Sequence, residues 1–171
     1  RAQSVRPDVR ANRQRLLDYV SGGGTLVVQY NRLEQNFGPE DTIAPYPITI
    51  GTARVSAEEA PVAFPNPSHP VLQAPNRITA ADFDGWVQER GLYFATRWDP
   101  RYEVLFTSHD PGESPQGGGS LFTRYGKGAY VFTAYAWFRQ LPEGVPGAYR
   151  IFANLISAGK TISNASSSHT H

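Results

Sequence analysis

The sequence predicts an α/β domain with a mostly parallel sheet and one antiparallel hairpin. The first sign is LLDYVSGGGTLVVQYN, residues 16–31. It reads as the end of an amphipathic helix, a glycine stop and a short buried strand, which is the αβ half of a βαβ unit. The second sign is the Leu26-Val27-Val28 run, which lacks polar alternation. A strand apolar on both sides is usually covered on both faces, as in parallel α/β sheets. The third sign is the pair of segments 120–125 and 129–135 flanking Gly126-Lys127-Gly128, a strong hairpin signal.

Each element follows from local chemistry. Val9, Leu16, Leu17 and Val20 share one helical face, Pro7 suits the first turn, and Asp8 suits its positive end. Gly22, Gly23 and Gly24 supply a left-handed cap. A strand over 25–30 leads to a polar, proline-bearing loop over 32–47, and loops of such length tend to carry function. Short strands are expected over 48–55 and 60–64. Asn66 to Pro70 is a turn in which Ser68 or His69 starts a brief helical turn, and Thr79 N-caps another over 78–86. A strand centred on Leu92-Tyr93-Phe94, another over 102–107 and turns over 108–119 precede the hairpin. A polar-aromatic loop, Trp137 to Gln140, leads to a final helix opened by Pro146. Its Ile151, Phe152, Leu155 and Ile156 form the apolar face, and Gly159 is its expected cap. Residues 1–159 read as one domain and 160–171 as a Ser/Thr/His-rich tail.

Composition narrows the function classes. With 171 residues the chain is long enough for one domain with a real core. A formal charge of +1 argues against nucleic acid or an anionic membrane as partner. The absence of cysteine excludes a disulfide framework, a thiolate metal site and a cysteine nucleophile, and leaves the compartment open.

RAQSVRPDVRANRQRLLDYVSGGGTLVVQYN, SHPVL, GWVQERGLYF and YGKGAYVFTAYAWFRQLPEGVPGAYRIFANLI together resemble the C-terminal region of long bacterial proteins with an N-terminal PIG-L (LmbE-like) deacetylase domain. The resemblance spans about residues 1–159. It implies a class I glutamine amidotransferase-like domain: a flavodoxin-like, doubly wound, mostly parallel sheet whose first strand or strands would precede residue 1. It also implies a bacterial protein in which this region acts beside the rest of its parent chain, and leaves export as part of that longer protein open. Two departures limit the transfer of chemistry. True amidotransferases use a cysteine at a strand-to-helix elbow, and this chain has none. SHPVL is not the HPDD-like zinc motif of the deacetylase domain.

The candidate chemistry is modest. His69 with Glu89 or Asp82 is a conceivable general base, but no G-x-S-x-G elbow accompanies it, and Ser68-His69-Pro70 also reads as a capped turn. Asp82 and Asp84, with the scattered Asp99, Glu103, Asp110 and Glu113, lack metal-ligand spacing, so no metal and no cofactor is expected. Gly117 to Gly119 lack the Lys-Ser/Thr of a phosphate loop. The candidate ligand-binding residues are Gln29 and Asn31 after the first strand, Trp86, Gln88, Glu89 and Arg90 before the fourth, and Trp137, Arg139 and Gln140 after the hairpin. In a parallel sheet the first and last groups share the carboxyl edge, where ligands bind. Aromatic faces with planar amide and guanidinium donors suit sugar hydroxyls or a carboxylate, and they also suit loop anchoring. The expected role is a non-catalytic accessory domain of a carbohydrate-directed PIG-L-type protein, binding glycan or organising domains. The rivals are a hydrolase using Glu89 and His69, and a self-association module pairing through the open edge beside residues 25–30.

Overall fold

The computed structural model describes residues 6–31 and 42–167, so most of the loop expected over 32–47 lies outside the described residues. The chain begins with two helical pieces, α1 (Pro7–Ala11) and α2 (Arg13–Ser21). The single helix expected from the apolar face is broken at Asn12, whose side-chain amide donates to the Asp8 carbonyl at 2.8 Å. Asparagine readily makes such local bonds in competition with the helical ladder. Leu17 and Val20 are buried, whereas Val9 and Leu16 are half-buried.

The helix stop is well defined. Gly23 adopts φ 121°, its N–H donates to the Val20 carbonyl at 2.9 Å, and Gly24 N–H donates to the Tyr19 carbonyl at 3.0 Å. These are the two bonds of a Schellman cap, which needs a residue tolerant of positive φ. The chain then enters β1 (Thr25–Gln29).

The remaining strands are β2 (Ile48–Val55), β3 (Val62–Ala63), β4 (Gly91–Trp98), β5 (Glu103–Val104), β6 (Thr107–Ser108), β7 (Ser120–Tyr125) and β8 (Gly128–Thr133). The central sheet has the order β1-β8-β7-β5. β1 and β8 run parallel, with Thr25 opposite Ala129 and Gln29 opposite Thr133. β7 pairs antiparallel with both β8 and β5. The protein is therefore a mixed α/β structure with a mixed central sheet. Every residue of β8 is buried, as its Ala129-Tyr130-Val131-Phe132 run suggests. β2 and β4 form a bulged antiparallel ribbon, and β3 and β6 form a smaller one.

The strand expected over 102–107 is two strands. β5 joins the central sheet and β6 joins β3, and the fully buried Leu105 and Phe106 lie between them. Each half follows its own long-range partner, which an apolar run cannot specify.

Short helices fill the connections: α3 (Pro70–Gln73), a 3₁₀ helix (Ala80–Phe83) and α4 (Trp137–Gln140), the last replacing an expected loop. α5 (Pro146–Ile156) buries Ala148, Ile151 and Leu155, but Ile156 is exposed rather than part of the apolar face. α6 (Ala158–Ser167) follows after one residue. Residues 160–167, expected as tail, are thus helical, with Ile162 buried in the core. Gly159 is no cap: it lies in the first turn of α6, where a Cβ would sit 2.6 Å from Thr25 Oγ1. Its N–H donates to that hydroxyl at 2.9 Å, which seats α6 on the start of β1.

Candidate functional site

The parallel register of β1 and β8 sends their following residues out of the same sheet edge. Tyr30 N–H continues the ladder to the Thr133 carbonyl at 2.8 Å. β4 is drawn to the same place, because Leu92 N–H donates to the Ala134 carbonyl at 3.2 Å and Ala136 N–H donates to the Arg90 carbonyl at 2.8 Å. Three separated segments therefore meet at one edge.

Their junction carries an aromatic cluster. The Tyr30 ring packs edge-on against Phe138 at 4.7 Å and against Tyr93 at 5.8 Å. Phe138 is 49% exposed. Beside it, Arg139 Nε donates to Glu89 Oε1 at 3.1 Å, Arg139 Nη1 donates to Gln88 Oε1, and the guanidinium lies 5.1 Å from the centre of the Phe138 ring. Backbone strain collects here too. The non-glycine residues with positive φ among those described are Tyr30 at 35°, Gln88 at 66° and Tyr93 at 66°. Such conformations cost about 1–3 kcal/mol each and persist where surrounding structure holds them, often at functional sites.

The sequence-predicted residues divide sharply. Gln29 is exposed at the end of β1. Asn31 is buried, and its amide donates to the Gln29 carbonyl at 3.2 Å. Gln88, Glu89 and Arg139 border the aromatic cluster. Trp86 and Trp137 are core residues, their indole N–H groups bound to the Asp82 carbonyl at 3.2 Å and to Thr133 Oγ1 at 2.9 Å. Gln140 is buried and acts as a backbone mimic: it accepts from Val87 N–H and donates to the Val87 carbonyl, both at 2.9 Å. Arg90 is buried, gives hydrogen bonds to the Ala60 and Phe83 carbonyls, and lies over the Phe83 and Trp86 rings. Burial pulls its pKa down, opposed by Tyr135, Asp84, Glu58 and Glu59.

Tyr30, Tyr93 and Phe138 are not among the candidates that the sequence singles out. The available signal was their position immediately beside the polar candidates, in GLYF, WFRQ and QYN.

His69 and Glu89 have different partners. His69 Nδ1 accepts from Val71 N–H at 3.2 Å, which places the ring proton on Nε2, and Nε2 lies 3.6 Å from Glu103 Oε2. The ring packs against Phe122, and burial pushes its pKa below the ordinary value despite Glu103. Glu89 is held by Arg139. Asp82 closes the capping box of the 3₁₀ helix and receives Arg150 Nε at 2.7 Å. Neither Glu89 nor Asp82 is paired with the imidazole; its nearest carboxylate is Glu103, and His69 Nδ1 caps the turn that opens α3. Among the described residues no group of three His, Asp or Glu side chains is placed to hold a metal ion. No helix among the described residues is long and apolar enough to cross a membrane.

No protein-family profile, curated protein or solved structure matches this chain.

Proposed function

We propose that this domain is a non-catalytic accessory module that binds carbohydrate at the cluster of Tyr30, Tyr93 and Phe138. The observation that carries the reading is the packing of Tyr30 on the half-exposed Phe138 next to the Arg139–Glu89 pair. Aromatic surface supplies contact for the apolar face of a sugar, and planar guanidinium, amide and carboxylate groups supply oriented donors and acceptors for hydroxyls. The choice of carbohydrate rests on the resemblance to the C-terminal region of PIG-L-type proteins. The same resemblance supports reading the α/β arrangement as flavodoxin-like and amidotransferase-like, and the module as one that binds glycan or holds domains of its parent protein together.

Isothermal titration with amino sugars, N-acetylated sugars and short glycans tests this. Saturable binding that weakens at least about tenfold in Phe138→Ala, roughly 1.4 kcal/mol, with unchanged melting temperature, supports the reading. Silence across the panel, or binding indifferent to Phe138→Ala, refutes it.

Self-association is a second reading, favoured by the end position of β1 in the central sheet order. Strands at a sheet end present backbone donors and acceptors to another chain. Sedimentation as a monomer at every concentration removes this reading.

A further inference from the structure

We propose that the cleft lined by Glu58, Glu59, Asp84 and Arg90 binds a small zwitterion, with its carboxylate on Arg90 and its ammonium on the rim carboxylates. This is a second site, independent of the glycan reading.

The cleft encloses about 420 Å³, and Phe83, Gly85 and Trp86 complete its wall. Arg90 is only 4% exposed. Its Nε and Nη2 donate to the Ala60 carbonyl at 3.2 and 2.8 Å, and its Nη1 donates to the Phe83 carbonyl at 2.6 Å. A guanidinium carries five N–H donors. One N–H on each terminal nitrogen is therefore left without an acceptor among the described residues. Among the described residues no carboxylate lies within ion-pair distance of Arg90; its direct partners are carbonyls and the faces of Phe83 and Trp86, at 5.5 and 5.4 Å, and Glu58, Glu59 and Asp84 act on it only from the rim. A buried cation with no directly bonded counter-ion is costly, and an incoming carboxylate would form the strong charge-assisted bonds that guanidinium geometry favours.

The rim decides what kind of carboxylate can enter. Glu58, Glu59 and Asp84 are exposed and close enough for their charges to act on Arg90. Glu58 is held in place, accepting from Gln88 N–H at 2.6 Å. A simple anion meets three like charges at the mouth, and a simple cation meets the guanidinium at the floor. A molecule with an ammonium and a carboxylate satisfies both, and the volume suits one of amino-acid size.

Ligand-observed NMR and calorimetry with glycine, β-alanine, γ-aminobutyrate and ε-aminocaproate test the assignment, with propionate and propylamine as single-charge controls. The expected result is binding at one favoured charge spacing with Kd near or below about 1 mM, and controls at least tenfold weaker. The double variant Glu59→Gln, Asp84→Asn alters two exposed side chains and should weaken that binding at least tenfold without changing the melting temperature. Phe138→Ala should leave it unchanged, which separates this site from the aromatic cluster. The proposal is overturned by no binding at about 10 mM, by propylamine or propionate binding as well as the zwitterions, by binding that survives the double variant, or by binding lost in Phe138→Ala.

Discussion

Arg139 Nε lies 3.1 Å from Glu89 Oε1, joining segments fifty residues apart in sequence. The side chains are 34% and 21% exposed, so water screens the pair in part. A double-mutant cycle on Glu89→Ala and Arg139→Ala should give a coupling of about 0.5–1 kcal/mol that shrinks as salt is raised. Urea denaturation of the four proteins at two salt concentrations measures it. Coupling near zero would mean that the backbone bonds of Ala136 and Leu92 and the Gln140 bonds to Val87 hold the segments together without help from this pair.

Arg90→Met sets two effects against each other. It removes a buried cation that has no directly bonded carboxylate among the described residues, and it leaves the Ala60 and Phe83 carbonyls without their donor. Orphaned buried carbonyls cost about 1–3 kcal/mol each, so the loss should dominate. Chemical denaturation should show Arg90→Met less stable by roughly 2 kcal/mol. A more stable variant would show that the charge costs more than its bonds return.

Much of this arrangement was legible in the residues. The three glycines before Thr25 announced a helix cap, Gly126-Lys127 announced a hairpin, and the apolar run in β8 announced a strand covered on both sides, whereas in β1 only Val28 is buried and Leu26 and Val27 are half-buried. The shared carboxyl edge followed from reading those two strands as parallel. What escaped was set by tertiary partners. Arginine, tryptophan and glutamine in GWVQERG and WFRQ looked like one polar-aromatic site, yet Arg90, Trp86, Trp137 and Gln140 are buried with backbone or hydroxyl partners. Residues 160–167 looked like tail because Ser and Thr dominate them, but burial of Ile162 and the seat of Gly159 on Thr25 hold a helix there. Residue types give average exposure, and these positions depart from it because distant segments bring their hydrogen-bonding groups to them.

His69 should make stability depend on pH. Burial lowers its folded pKa below the ordinary 6.5, so between those two values the unfolded chain binds more protons. Its contribution is fully present above the ordinary value and is lost as pH falls through the window toward the folded pKa. His69→Asn keeps an acceptor for Val71 N–H and removes the titration. Thermal melts from pH 7 downward, compared with the wild type, should show a shallower loss of stability for His69→Asn as pH falls below the ordinary 6.5. Identical slopes would mean that His69 titrates alike in both states.

Asp110 should act in a more acidic window. Its burial favours the neutral acid, but the N–H groups of Ala57 and Ser56 and the charge of Arg54 outweigh that and hold its pKa below the ordinary 3.8. The stability it contributes is present above the ordinary value and is lost as pH falls through the depressed folded value. Asp110→Asn should therefore destabilise the protein at neutral pH and flatten the acid limb of its stability profile. An unchanged acid limb would contradict this.

Tyr135 is fully buried, and its hydroxyl has no hydrogen-bond partner among the described residues. Removing an unsatisfied buried hydroxyl while keeping the ring should cost nothing. Urea midpoints should place Tyr135→Phe within about 0.5 kcal/mol of the wild type or above it. A clear loss would show that the hydroxyl makes a bond of its own.

Carbohydrate binding at the aromatic cluster is tested most directly by an NMR titration that watches the ring resonances of Tyr30, Tyr93 and Phe138 while N-acetylated and free amino-sugar oligosaccharides are added. Trp86 and Trp137 are buried, at 3% and 1% exposure, and serve as internal controls. Sugar bound at the cluster should give saturable shifts of the three rings with little change at the two indoles. Rings that stay in place at saturating sugar, or shifts confined to another part of the protein, would contradict it.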